Sequence, residues 1–173
     1  MLVFFGMEED AADERGAKLK ALQAYFNESA PHAFNMLGGS DLATSNKDRG
    51  KNLVVNAHGN VENFAGLDAA AFVSKLEGKG FQAGSFEKLY LMACNVGEQA
   101  QNNSILNNFA RDVNLLVVRG NLGAKVYAPR GTLTYKVHKE TQLGQTYWKV
   151  DSMVITSPER EYPLDEGILL VQA

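Results

Sequence analysis

Leu53-Val-Val-Asn-Ala-His-Gly-Asn60 passes from an unbroken apolar run straight into a polar turn. A strand wetted on one face alternates apolar and polar residues, whereas a short run without alternation fits a strand covered on both faces. Lys88-Leu-Tyr-Leu-Met-Ala-Cys-Asn95 has the same form. Leu2 to Phe5 reads as a first strand before them, and Leu115-Leu-Val-Val118, ending at Arg119-Gly-Asn121, as a fourth. Helical spacing fills the intervals. Leu19, Leu22, Tyr25 and Phe26 recur within Ala11 to Asn27, and Ala71, Phe72 and Leu76 share a face within Leu67 to Leu76. Ile105, Leu106, Phe109 and Val113 do so within Glu98 to Val113. Parallel neighbours need crossover connections, so this alternation predicts an α/β three-layer sandwich with a mostly parallel central sheet flanked by helices.

The tail changes period. Leu133, Tyr135 and Val137 alternate with Thr134, Lys136 and His138; a polar stretch over Lys139 to Gln145 follows, and Thr146 to Thr156 extends again. This predicts a C-terminal antiparallel hairpin with one wet face, with Ile168 to Val171 as a last short strand. The expected organisation is a single domain over 1–173, with an α/β core over 1–121 and a β-rich extension over 122–173. Gly38 to Gly50 is polar and without period, and is expected to be a mobile or cleavable loop.

Composition narrows the function. With 173 residues and 45% hydrophobic content, the chain can bury one sizeable core. A net charge of -3 supplies no basic field for nucleic acid or an anionic membrane. One cysteine excludes an intramolecular disulfide and a thiolate-rich zinc site. No stretch approaches the ~20 apolar residues of a membrane span, and the apolar start is too short for a signal peptide. The expectation is a soluble protein, cytoplasmic or exported by a leaderless route, without cofactor or metal.

His58 and Cys94 each follow a buried strand immediately, so in a parallel sheet they emerge at the same carboxyl edge, where α/β sites lie. An imidazole beside a thiol can promote the thiolate and later protonate a leaving amine. The backbone N–H groups of Gly59 and Cys94 could together hold an oxyanion. Alone, a cysteine after a strand is ordinarily a buried structural thiol and a histidine opening a loop is ordinarily a surface residue. The matched placement reverses that reading. Asn56, Asn60 and Asn95 could orient the imidazole or the substrate, but Asn also favours turns for backbone reasons. His32 and His138 are read as structural or exposed, and Trp148 as packing.

An apolar strand ending in His58-Gly59 and a later one ending in Ala93-Cys94 resemble the caspase, legumain and gingipain clan of cysteine peptidases, including the self-cleaving domains of RTX toxins. Met92 and Val96 stand where caspases carry Gln and Gly, while Ala93-Cys94-x-x-Gly97 is similar to legumains. The likeness covers about Leu2 to Asn121 through motif order. It implies a caspase-haemoglobinase-like fold and an endopeptidase with His58 as acid/base, Cys94 as nucleophile, a Gly59 and Cys94 oxyanion hole, and no obligatory third carboxylate. It further implies a protein or peptide substrate, self-processing in some members, and homodimers in others. Met92, Asn95 and Arg119 are the expected substrate contacts. An apolar Met92 wall would favour cleavage after Leu or a similar residue, whereas Arg119 in the pocket would favour Asp or Glu.

Three alternative readings compete with this one. An α/β-hydrolase or amidotransferase elbow needs small residues where Met92 and Val96 stand. A flavodoxin-like domain needs a phosphate loop where Glu8, Glu9 and Asp10 stand. A catalytically inactive binding module that keeps the fold is compatible with every motif.

Overall fold

The computed structural model describes residues 1–6, 12–43, 51–60, 62–94, 96–97 and 108–172. Five short strands run parallel: β1 (Leu2–Phe4), β2 (His32–Ala33), β3 (Asn52–Asn56), β4 (Lys88–Met92) and β5 (Lys125–Pro129). A sixth core strand, β9 (Ile168–Leu170), closes the sheet antiparallel to β5, giving the order β2-β1-β3-β4-β5-β9. The three-layer α/β sandwich expected from the sequence is present.

Alternation sorts the strand residues between two cores. Leu53, Val55, Leu89 and Leu91 face Phe72, Val73 and Leu76 of α2 (Ala69–Gly78) and Phe109, Ala110 and Val113 of α3 (Phe109–Arg119). On the other face Leu2, Val54 and Met92 pack with Leu22 of α1 (Ala12–Phe26) and with Leu133 and Ile155 of the second sheet. The starts of α2 and α3 have side-chain caps, which satisfy backbone donors left without partners. Asp68 Oδ1 accepts from Ala71 N at 2.8 Å, and Asn108 Oδ1 from Arg111 N at 2.8 Å.

The fourth strand is not where the apolar run suggested. Leu115 to Val118 is the last part of α3, whose buried residues Phe109, Ala110, Val113, Asn114 and Val117 keep helical period to the end. A short apolar run has no length to reveal its period, and no turn signal separates it from the preceding helix. The strand that pairs with β4 is Lys125–Pro129, with Lys88 opposite Lys125. The core therefore does not stop at 121: β5 and β9 belong to it.

The second sheet has the order β6-β7-β8, built from β6 (Thr132–Gln142), β7 (Gln145–Thr156) and β8 (Glu161–Pro163). A one-turn helix, α4 (Leu164–Gly167), leads from it into β9. Within the polar stretch Lys139 to Gln145, residues Lys139 to Gln142 are paired strand. The turn is Leu143-Gly144, both with positive φ (51 and 77°), as a two-residue hairpin matched to strand twist requires. Gly38 to Ala43 is also less free than its composition suggested. Leu42 is buried and its N–H donates to Lys79 O at 2.7 Å, while residues 44–50 lie outside the described set. No helix among the described residues is long and apolar enough to cross a membrane.

His138 is exposed on the hairpin, as expected, and is held between two carboxylates. Nε2 lies 2.9 Å from Glu140 Oε1 and Nδ1 2.8 Å from Asp151 Oδ1. Hydrogen bonds to Glu140 first, then to Asp151, raise its pKa above the ordinary histidine value. The folded protein thus holds this proton more tightly than the unfolded chain. The resulting stabilisation is fully present below about pH 6.5, the unfolded value, and is lost as pH rises through the higher folded value. An NMR titration should give an elevated His138 pKa that falls towards the ordinary value in both Glu140→Gln and Asp151→Asn. An ordinary value in the parent protein would contradict the paired geometry.

Candidate functional site

In the β3–β4 pairing, Asn56 stands opposite Met92. Two residues further along each chain are His58 and Cys94, and residues two apart on a strand share a face. Both sequence motifs therefore leave adjacent parallel strands at equivalent positions, and Cys94 packs against the cluster formed with α1 and the hairpin. Their turns touch. A Cβ built on Gly59 would lie 2.9 Å from Ala93 Cβ and 3.0 Å from Val96 Cγ1, so the glycine is what permits this approach. Gly97 serves the next contact: its N–H donates to Pro129 O at 3.2 Å, where a Cβ would meet that oxygen at 2.7 Å. The glycine read as legumain-like thus fastens the Cys94 turn to β5.

His58 is exposed and opens a small loop that folds back on itself. Gly59 bridges Phe64, and the hydrogen bonds of that bridge come from the flanking groups: Ala65 N to His58 O (2.7 Å) and Asn60 N to Asn63 O (2.9 Å). Neither hydrogen bond of the bridge uses the Gly59 N–H, and no backbone acceptor for it is found among the described residues, which suits the oxyanion role expected for it. Asn60 is accounted for by the turn, since its Oδ1 accepts from Glu62 N at 2.8 Å and Asn63 N at 2.9 Å.

Cys94 is half-buried. Its Sγ donates to the Leu133 carbonyl oxygen of β6 at 3.7 Å, so the base of the hairpin rests on the thiol. Burial raises the thiol's pKa, and the Leu133 main chain and the Lys18 ammonium only partly offset this. A carbonyl acceptor bonds S–H and not S⁻, so we assign the offset chiefly to Lys18. Lys18, on α1, pairs with Glu14 at 3.1 Å and lies 5.4 Å from the Tyr135 ring centroid. In this arrangement the group is a protonated thiol, the form that is neither nucleophile nor metal ligand.

Two of the three expected substrate contacts are displaced, and the third is not described. Met92 is fully buried between Leu2, Leu22 and Leu133; it is a core residue, because β4 is still beneath α1 and the hairpin at that position. The argument for cleavage after Leu, which needed Met92 in a pocket wall, loses its basis. Arg119 ends α3 rather than a strand. A crossover helix runs back to the sheet's amino edge, so Arg119 lies close in sequence to the start of β5 and opposite the Cys94 edge. Asn95 lies outside the described residues. Lys18, Leu133 and Tyr135 reach the site from remote segments and carried no local sequence signal. Among the described residues, no cluster of His, Cys, Asp or Glu could hold a metal. Compared with known proteins, the chain matches no family model, no curated protein and no solved structure.

Proposed function

We propose that the protein is a cysteine endopeptidase of the caspase–legumain–gingipain type, with Cys94 as nucleophile and His58 as acid/base. The observation that carries this reading is the Asn56–Met92 register of adjacent parallel strands, with the turns that follow them approaching each other at Gly59 and Ala93. The chemistry follows from the residues. His58 takes the Cys94 proton, Sγ adds to the scissile carbonyl carbon, and the N–H groups of Gly59 and Cys94 hold the oxygen as it becomes anionic. Collapse breaks the C–N bond, and the imidazolium returns its proton to the departing amine. A water deprotonated by His58 then hydrolyses the thioester and restores the thiol. Cleavage of its own chain would use the same steps.

One observation favours a second reading, an inactive module that keeps the fold: the thiol is half-buried, its pKa is raised, and it donates to Leu133. Labelling with a peptidyl acyloxymethyl ketone separates the two. The native protein should form a single adduct on Cys94, absent after urea denaturation and absent in Cys94→Ala. A native protein that stays unlabelled, while the denatured thiol reacts with simple alkylators, would establish the inactive module.

A further inference from the structure

Asn56 interrupts an otherwise apolar strand and is only 2% exposed. Its Nδ2 donates to the Met92 carbonyl at 2.7 Å, tying the end of β3 to the end of β4 one step before both motif turns. Its Oδ1 is buried and has no hydrogen-bond partner among the described residues. The assignment of N and O is fixed by chemistry, because the flipped amide would set two acceptors against each other at Met92. A buried amide acceptor left unpaired is destabilising, and such groups are rare enough in folded proteins to require a reason. A turn role does not supply one: Asn56 lies within β3, in register with Met92. Leu2, Val54 and Met92 on its face offer no side-chain donor; the side-chain donors packed on that face are Tyr90, Tyr135 and Cys94, and Cys94 Sγ is directed to the Leu133 carbonyl.

We infer that Asn56 is a positioning residue for the dyad: its Nδ2 clamps the Cys94-bearing strand, and its Oδ1 accepts the imidazole N–H of His58 that is turned away from the thiol. This rests on the peptidase reading of His58 and Cys94 and adds the group that orients the ring. His58 stands two residues on in the chain, exposed and not bonded to Oδ1 in this structure, so the proposed contact forms when the ring turns inward over the end of β3. An amide serves here as a neutral orienting group. It fixes which ring nitrogen faces the thiol without the charge of a carboxylate, consistent with a dyad that needs no third acid.

Two variants and one control test it. Asn56→Leu removes the orphaned oxygen at similar volume together with the Nδ2 bond to Met92, so its effect on the thiol is read beside the His58 titration in Asn56→Asp, which a purely structural Asn would leave unmoved. If Asn56 acts through His58, folded Asn56→Leu should shift the pH profile of Cys94 alkylation upward by one unit or more, about a tenfold fall in neutral-pH rate. Asn56→Asp keeps an acceptor and adds charge. It should raise the His58 pKa read by NMR by one unit or more, against the background of Lys18, Tyr135 and Cys94, the other polar groups gathered at this face. His58→Ala is the control. If it alkylates as the parent does, the dyad reading falls, and the His58 titration in Asn56→Asp alone decides the hydrogen bond. If His58→Ala shifts the profile but Asn56→Leu does not, or if the His58 pKa is unmoved by Asp at 56, the inference about Asn56 is overturned and the dyad stands.

Discussion

His58→Ala is expected to slow peptide hydrolysis by about 10²–10⁴-fold with little change in stability. The first half of that expectation comes from the thiol. Burial raises the Cys94 pKa, so without a base to take its proton the nucleophile is scarce at neutral pH. The second half comes from exposure: the His58 side chain lies at the surface, its removal opens no cavity, and surface substitutions usually change stability by about 0.5 kcal/mol or less. The loss should fall on kcat with KM nearly unchanged, because in the proposed mechanism His58 acts on protons in flight rather than on bound substrate. It should also depend on pH. The variant's rate should climb steadily with pH as hydroxide takes over deprotonation of a thiol with an elevated pKa, whereas the parent should reach a plateau set by the pair. Assay of kcat and KM across pH 5 to 10 reads both. A variant that keeps the parent's kcat/KM at pH 7 would remove His58 from the mechanism.

What could be read from the sequence was local. The boundaries of β4, Lys88 to Met92, agree to the residue, since one apolar run is bounded by charge on one side and small residues on the other. The placement of His58 and Cys94 after adjacent strands was readable for the same reason. Leu115 to Val118 failed because a four-residue run contains too little of either period, and that error carried Arg119 to the wrong edge of the sheet. β2 has two residues and no pattern to find. Met92 failed differently: sequence alternation gave its face correctly, but what covers that face, α1 and the base of β6, is a long-range contact that no local pattern encodes. The same holds for the Leu133 carbonyl on Cys94 and for Lys18. Asn56 did leave a trace, as a polar residue in an apolar strand, but its meaning depended on knowing that it was buried and half-satisfied.

Phe64→Ala is expected to cost about 3–5 kcal/mol, the usual range for deleting a buried phenyl ring, and to lower the melting temperature by on the order of 10 °C. Phe64 is fully buried although it belongs to the loop that follows His58. Its ring stacks on Phe109 of α3 at 5.6 Å, tilts against Phe72 of α2 at 4.9 Å and meets Phe5 edge-on at 6.0 Å. It therefore joins both helices of one layer to the end of β1, and a close-packed ring system of this kind cannot collapse fully into the space a phenyl leaves. The same side chain anchors the site. The Phe64 backbone pairs with Gly59 across the bridge and with Leu67 across a tight turn, Phe64 N to Leu67 O at 3.0 Å, so the ring that buries Phe64 also fixes the backbone to which the His58–Gly59 segment is bridged. Urea unfolding should show the full loss with an unchanged slope, and Phe64→Leu, which retains most of the apolar volume, should lose distinctly less. At temperatures where Phe64→Ala remains folded, labelling of Cys94 by the ketone probe should drop well below that of Phe64→Leu, because the turn bearing His58 and Gly59 has lost its floor. A Phe64→Ala protein within 1 kcal/mol of the parent would show that the ring is not packed as described, and full labelling in that variant would show that the His58 turn holds its position without it.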